Sequence, residues 1–148
     1  MNRALILVMN PLTHDSRVIR QTETLSKLGF NVRAFALHQD DLPVSERHGE
    51  ATVRRFKLAT RPWSKHGGVQ LIKYAECAVR MTTAGLRFRP AVVHANDLNM
   101  LPIGYVIAKL SGAKLIYDSH EYWADSTDLT GFLRPPSVRL EAVMARGC

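Results

Sequence analysis

Arg3-Ala4-Leu5-Ile6-Leu7-Val8-Met9 opens the chain as one apolar run, unbroken from Ala4 until Asn10. A half-buried strand would alternate apolar with polar residues. A run without alternation suits a strand covered on both faces, the usual state of strands in a parallel sheet. A polar turn, Asn10 to Asp15, follows. Ser16 to Leu28 then reads as a helix whose inner face carries Val18, Thr22 and Leu25, with Ile19 and Leu28 beside them. Asp15 or Ser16 can cap its start, and Gly29 stands where a helix C-terminal glycine belongs. Asn31 to Leu37 is a second strand, so the first 37 residues read β-α-β.

Farther along, His38 to Glu50 reads as a polar loop, and Thr52 to Leu58 as a third strand nearer an edge. Arg61 to Gly68 holds Pro62 and Gly67-Gly68 and reads as a loop. Val69 to Leu86 is expected to be helical, with Leu71, Ile72, Ala75, Val79 and Leu86 on its apolar side. Lys73 and Arg80, seven apart, share a face. Ala91 to Ala95 is a fourth strand. Leu98 to Leu110 is an apolar helix that tolerates Pro102 only in its first turn. Gly112 closes it, Ala113 to Tyr117 is a fifth strand, and Ser137 to Arg146 is a short closing helix beyond a long polar segment. This order predicts the α/β class, a doubly wound and mostly parallel Rossmann-like sheet.

The chain has 148 residues, room for one domain. Its apolar fraction of 46% and charged fraction of 22% exclude a disordered chain or a disulfide scaffold. No apolar run approaches the ~18 residues that span a bilayer. The N-terminal apolar run passes straight into Asn10-Pro11 without a cleavage pattern, and Cys77 and Cys148 have no metal-ligand spacing. These features fit a reducing, cytoplasmic setting. The net charge of +7 is concentrated: residues 53–90 hold nine lysines and arginines against one acid, Glu76. Such a stretch is either a solvated basic surface or an attractor of phosphate, anionic lipid or nucleic acid.

In doubly wound sheets, ligands bind beyond the carboxyl ends of the strands. That selects three loops, Asn10 to Arg17, His94 to Leu98, and Asp118 to Trp123, where His, Asp, Glu and Asn also concentrate. The first opens a helix whose free N–H groups suit an anion or a sugar hydroxyl, although Asp15 has a plain role as a cap. It is no dinucleotide fingerprint, since G-x-G-x-x-G is missing, and no phosphate-loop motif occurs in the chain. Asn96 and Asp97 either cap the following helix or face a ligand. His94 reads as a buried, hydrogen-bonded strand residue. In the third loop His120 stands between carboxylates Asp118 and Glu121, a set able to hold sugar hydroxyls or move a proton, with Tyr122 and Trp123 as walls. The bland reading is an ordinary chain exit. His38, His48 and His66 fall in expected loops and read as solvated.

Three segments carry a resemblance. Asp15-Ser16-Arg17-Val18, with Glu23, Leu25 and Gly29-Phe30-Asn31-Val32, resembles the opening of family 4 glycosyltransferases. Pro90-Ala91-Val92-Val93-His94-Ala95-Asn96-Asp97 looks like their P-D-V-V-H-A-H-D segment, with Asn96 in place of the second histidine. Gly112-Ala113-Lys114-Leu115-Ile116-Tyr117-Asp118-Ser119-His120-Glu121 is similar to their G-A-K-L-V-Y-D-S-H-E segment. The resemblance implies the N-terminal half of a GT-B fold, ending before its last strand, with residues 1–148 as an incomplete acceptor-side domain. It implies transfer of a sugar with retention, from a nucleotide-sugar donor held by a C-terminal domain, to a glycan or lipid-linked acceptor.

By the same resemblance His120 contacts the donor sugar and supports catalysis. His14, Asp15, Asn96, Asp97 and Glu121 bind substrate, and neither metal nor cofactor is called for. The 53–90 stretch would favour peripheral contact with the inner face of the membrane. Alone, the chain is expected to be inactive. The alternative is a stand-alone, non-catalytic module holding a glycan or phosphate through the same loops. Nucleic acid is not expected as a partner, because the basic stretch contains no recognition module.

Overall fold

A computed structural model describes residues 2–39, 41–64 and 66–118. The elements are β1 (Arg3–Leu7), α1 (Ser16–Lys27), β2 (Asn31–Leu37), β3 (Ser45–His48), β4 (Ala51–Phe56), α2 (Gly67–Phe88), β5 (Val92–Asn96), α3 (Leu101–Ser111) and β6 (Lys114–Asp118). They form one sheet in the order β3-β4-β2-β1-β5-β6. All neighbours are parallel except the β3–β4 hairpin. β1 pairs on both sides, Leu7 with Phe35 of β2 and with Ala95 of β5. The chain leaves β1 toward β2 and returns past it to β5, so the topological switch lies between β1 and β5.

Alternation along β1 divides the core. Ala4, Ile6 and Val8 pack with Val18 of α1 and with Val32, Ala34, Ala36, Ala51 and Val53. Leu5 and Leu7 face the other way, into a cluster built with Met81 and Phe88 of α2 and Leu101 and Ile107 of α3. The unbroken apolar run of β1 therefore serves two cores, as expected of a strand with no solvent face.

The structure corrects the expected elements in four places. β3 lies within the stretch read as a polar loop. Its sequence Ser-Glu-Arg-His has no apolar residue, because an outermost strand has only one paired edge and here buries almost nothing. β4 is consequently second from the edge. Leu28 is the C-cap of α1 and points to water instead of closing its inner face. The largest correction concerns α2. Leu71 and Val79 are 70% and 66% exposed and Ile72 is also exposed, whereas Cys77, Met81, Ala84, Gly85 and Phe88 are buried. α2 has apolar residues on both faces, so periodicity alone could not choose. The choice follows from close approach to α3: a Cβ on Gly85 would lie 2.6 Å from Ile107 Cδ1. Pro102 lies in the first turn of α3 as expected.

Arg55 breaks the apolar rule in β4. Continuing the alternation Ala51, Val53, it faces the α1 side and is only 2% exposed. Its guanidinium donates to Pro11 O at 2.8 Å and Pro43 O at 3.0 Å and pairs with the Glu46 carboxylate. One buried cation thus joins the loop after β1 to both the approach and the body of β3. Replacing it leaves two carbonyls without donors, while half-buried Glu46 can turn to water. Arg55→Met is expected to cost about 2–4 kcal/mol, read as a lower urea midpoint.

Candidate functional site

The carboxyl ends of the parallel strands carry two polar assemblies, one on each face of the sheet. The first lies on the α1 side, at the switch between β1 and β5. Asp15 is the N-cap of α1, accepting from Val18 N at 3.3 Å, and its other oxygen accepts from Asn10 Nδ2 at 3.0 Å. Asn10 in turn accepts from Leu12 N, holding that residue at a φ of 55°. Arg17 reaches Asp15 at 3.5 Å and Asp118 at 3.8 Å, and Gln21 Nε2 donates to Asp118 at 3.0 Å. Asp97 N donates to Asp118 O at 3.3 Å. The first two loops singled out in the sequence are therefore brought together at Asp118, the one described residue of the third.

Within this assembly the expected site residues have distinct positions. His14 is exposed, and Asp97 is half-buried at a left-handed φ of 71°. Asn96 is fully buried at the end of β5. Its Nδ2 donates to Leu7 O at 3.3 Å, linking β5 to β1, and its Oδ1 has no partner among the described residues. Neither Asn96 nor Asp97 caps α3, whose N-cap is Met100 without a side-chain bond. His94 is half-buried; burial lowers its pKa, and the nearby Asp118 carboxylate offsets this only in part. It is a neutral imidazole at physiological pH. His120, Glu121, Tyr122 and Trp123 lie outside the described residues, as does the expected closing helix.

The second assembly is a cleft of about 830 Å³ on the α2 side. Met9 and Pro11 follow β1, Leu37 and His38 end β2, and Phe56 and Leu58 end β4; these make the floor. Gln70, Lys73, Tyr74 and Cys77 of α2, with Arg61 and Asn99, make the walls. Among the described residues no carboxylate lines it. Burial pushes the Tyr74 phenol up to about 12 and the Cys77 thiol up to about 11, with Cys77 and Glu76 respectively adding smaller electrostatic contributions. Tyr74 is thus a neutral donor, committed to Asn99 O at 2.8 Å, and Cys77 is an inert thiol.

His38 corrects the sequence reading, since it is 5% exposed and not solvated. Its place one residue past a strand is the signal that could have found it, being the strand-end rule that selected the other loops. Several basic residues of the 53–90 stretch are engaged in holding the cleft wall. Lys73 Nζ donates to Arg61 O and Trp63 O at 3.2 and 2.8 Å, and Arg80 donates to Lys57 O at 2.8 Å. Glu76, the one acid of that stretch, accepts from Ala59 N, Thr60 N and Thr60 Oγ1 and pairs with Arg80 at 3.0 Å. The wall that presents Arg61 is pinned to α2 by these three side chains.

A family model described as a glycosyl transferase 4-like domain matches residues 15–147. The chain belongs to that family. Among solved structures, a sucrose-phosphate synthase from Thermosynechococcus elongatus aligns over 97% of this chain and 40% of its own, with a TM-score of 0.72 and 12% identity. A second structure of that synthase aligns over 80% of this chain and 64% of its own, with a TM-score of 0.54 and 17% identity. At such identity the likeness shows the fold. The chain spans 40% of the length of the first of these relatives. No curated protein sequence matches it.

The Glu76 ties have a pH signature. Burial alone would raise its pKa, but the Thr60 and Ala59 hydrogen bonds and Arg80 outweigh this and leave it lowered. A carboxylate with a lowered folded pKa stabilises above the ordinary range and loses that contribution as pH falls through its folded value. Glu76→Gln is therefore expected to lower Tm at neutral pH, with the difference from the parent chain closing in acid. A Tm gap independent of pH would contradict this account.

Proposed function

We propose that this chain is the acceptor-side domain of a retaining glycosyltransferase, with the α2-side cleft as the acceptor site. The observation that carries the proposal is an open cleft at the carboxyl edge of β1, β2 and β4 in a glycosyl transferase 4-like domain. The donor, a nucleotide-sugar, is held by a second domain across that edge. Sugar transfer passes through an oxocarbenium-like state, so fixed dipoles and hydrogen bonds that position hydroxyls and the departing phosphate carry much of the catalysis.

His120, two residues along the chain from Asp118, is assigned to the donor sugar and the reacting centre. His14, Asp97 and Glu121 are assigned to substrate contact. Asp15 and Asn96 are assigned to the same substrate edge as positioning groups, since Asp15 caps α1 and the Asn96 amide bridges β5 to β1. In the full-length protein from its source cells, assayed with UDP- and GDP-linked hexoses, His120→Ala is expected to lower kcat about 100-fold or more. The variant should keep its melting temperature. Unchanged transfer in that variant would remove His120 from the site, and acceptor binding without turnover in the parent protein would favour a binding module.

Peripheral contact with an anionic membrane is part of the proposal. Trp63 and the outer face of α2 expose apolar side chains within the basic 53–90 stretch, the mixture that settles at a lipid interface. No helix among the described residues is long and apolar enough to cross a membrane. Leu71→Ser/Val79→Ser is expected to reduce co-sedimentation with phosphatidylglycerol vesicles several-fold, without loss of Tm, because both side chains are already in water.

A further inference from the structure

The far half of α2 faces a cluster of arginines. Arg3 of β1, Arg33 of β2 and Arg54 of β4 alternate in phase with Leu5, Phe35 and Phe56, so all three face the α2 side of the sheet. Arg80 and Arg87 approach them from α2, and Arg89 from its C-cap. Two adjoining concavities result. One, of about 280 Å³, lies between Arg54, Arg80 and Arg87, and its Phe56 wall separates it from the cleft. The other, of about 570 Å³, lies between Arg3, Arg87 and Arg89. Thr83 and Arg87 border both, which makes them one furrow running toward the amino ends of the strands. Arg87 stands roughly 21 Å along α2 from Lys73 of the cleft wall.

Basic residues at a helix C-terminus can serve the helix alone. That accounts for part of the set, since Arg3 Nη1 donates to Phe88 O at 2.8 Å and Arg89 N donates to Gly85 O and Leu86 O. It does not account for Arg33 and Arg54, which come from strands. Their guanidiniums lie over aromatic rings, Arg33 4.4 Å from the centre of Phe88 and Arg54 5.0 Å from that of Phe56. Arg3 shares the Phe88 ring at 5.8 Å. Stacking orients these cations without neutralising them. Partial burial, and then repulsion by Arg54 and Arg3, hold the Arg33 pKa below its ordinary value. Among the described residues, Arg80 alone of the six has a carboxylate partner, Glu76.

We propose that this furrow binds a soluble oligophosphate, an anion of two or more linked phosphates. Arg80 and Arg87 are two helical turns apart, about 10 Å, and β1, β2 and β4 together span about the same distance. Linked phosphates carry negative charge on each successive centre along such a span. An extended acidic peptide offers same-face carboxylates only about every 7 Å, too sparse for cations packed this closely. All six cations are arginines, and a guanidinium donates two parallel hydrogen bonds to phosphate oxygens. An anionic bilayer would meet the exposed arginines but not Arg33, which is half-buried against Phe88. Because the cations are stacked in place before any ligand arrives, the ordering cost of binding is reduced. The furrow is separate from both polar assemblies at the carboxyl ends of the strands, so the proposal does not rest on sugar transfer.

The test is equilibrium binding of tripolyphosphate to the full chain, beside orthophosphate, penta-glutamate and phosphatidylglycerol vesicles. Tripolyphosphate is expected to bind about tenfold or more tightly than orthophosphate or penta-glutamate. Arg33→Gln/Arg54→Gln should weaken it about tenfold or more, and Arg33→Lys/Arg54→Lys, which keeps the charge but loses the fork, should be intermediate. The lysine pair also serves as the test if the glutamine pair fails to fold, which its Tm reports. Arg20→Gln removes the same charge from exposed α1 on the other face and should leave binding unchanged.

Equal affinity for tripolyphosphate and either orthophosphate or penta-glutamate overturns the inference. So does tripolyphosphate binding that persists in both double variants, or that is lost instead in Arg61→Gln, which would place the anion in the cleft. Vesicle binding reduced in the double variants, with no binding of tripolyphosphate, assigns these arginines to a membrane surface and overturns it as well. Transfer by the full-length protein decides the sugar-transfer reading separately, whichever way the binding falls.

Discussion

β1 must be hidden on both faces and paired on both edges, and the other elements are arranged around that requirement. Five residues of almost unbroken apolar sequence supply two cores, one closed by α1 and the other by α2 and α3. Because β1 is central, its carboxyl end is where the chain diverges to β2 on one side and β5 on the other. The loops that leave this point have no strand to continue into, which is why polar side chains collect there. The site is thus a consequence of how the central strand is buried. Arg55 and Asn96 make the same point from within the sheet, since each spends a buried polar group on joining a loop or strand to β1 or its exit.

Charge in this protein is divided between cations bound within the fold and cations left exposed. A count of nine basic residues in 53–90 suggests a uniform electropositive surface. The structure instead separates them. Arg55 is internal, and Lys73 and Arg80 donate to carbonyls of the turn before α2. Lys57 and Arg61 project from that turn without acidic partners among the described residues. The bound cations hold the free ones in place. Rigidity near the cleft therefore comes from the same residue types that give the cleft its charge, and a single acid, Glu76, serves as the counterweight.

α2 shows a comparable division of apolar residues. Its inner face, Cys77, Met81, Ala84, Gly85 and Phe88, has a glycine where α3 approaches closely. Its larger aliphatics, Leu71, Ile72 and Val79, are turned outward, where a helix serving only to cover a sheet would be polar. An exposed apolar stripe thus lies in a basic setting on the helix that walls the cleft.

What the sequence determined by itself was whatever depends on local period and on chain order. The unbroken run of β1, the capped helix after it, the Pro102 first turn and the repeated alternation of strands and helices sufficed for the doubly wound class. Three sequence segments sufficed for the family. Asp15 as a cap was equally legible, because a cap is a contact between residues three apart. Tertiary structure decided what depends on which neighbours meet. It chose the inner face of α2 through the approach of α3, made a polar tetrapeptide into β3 by offering it the free edge of β4, and drew His38 into a cleft assembled from four distant segments. It also turned Asn96 inward to β1 and set Arg61 free while committing Lys73. Periodicity cannot distinguish two apolar faces of one helix, and composition cannot distinguish a paired cation from an unpaired one. Those distinctions exist only once the chain has folded.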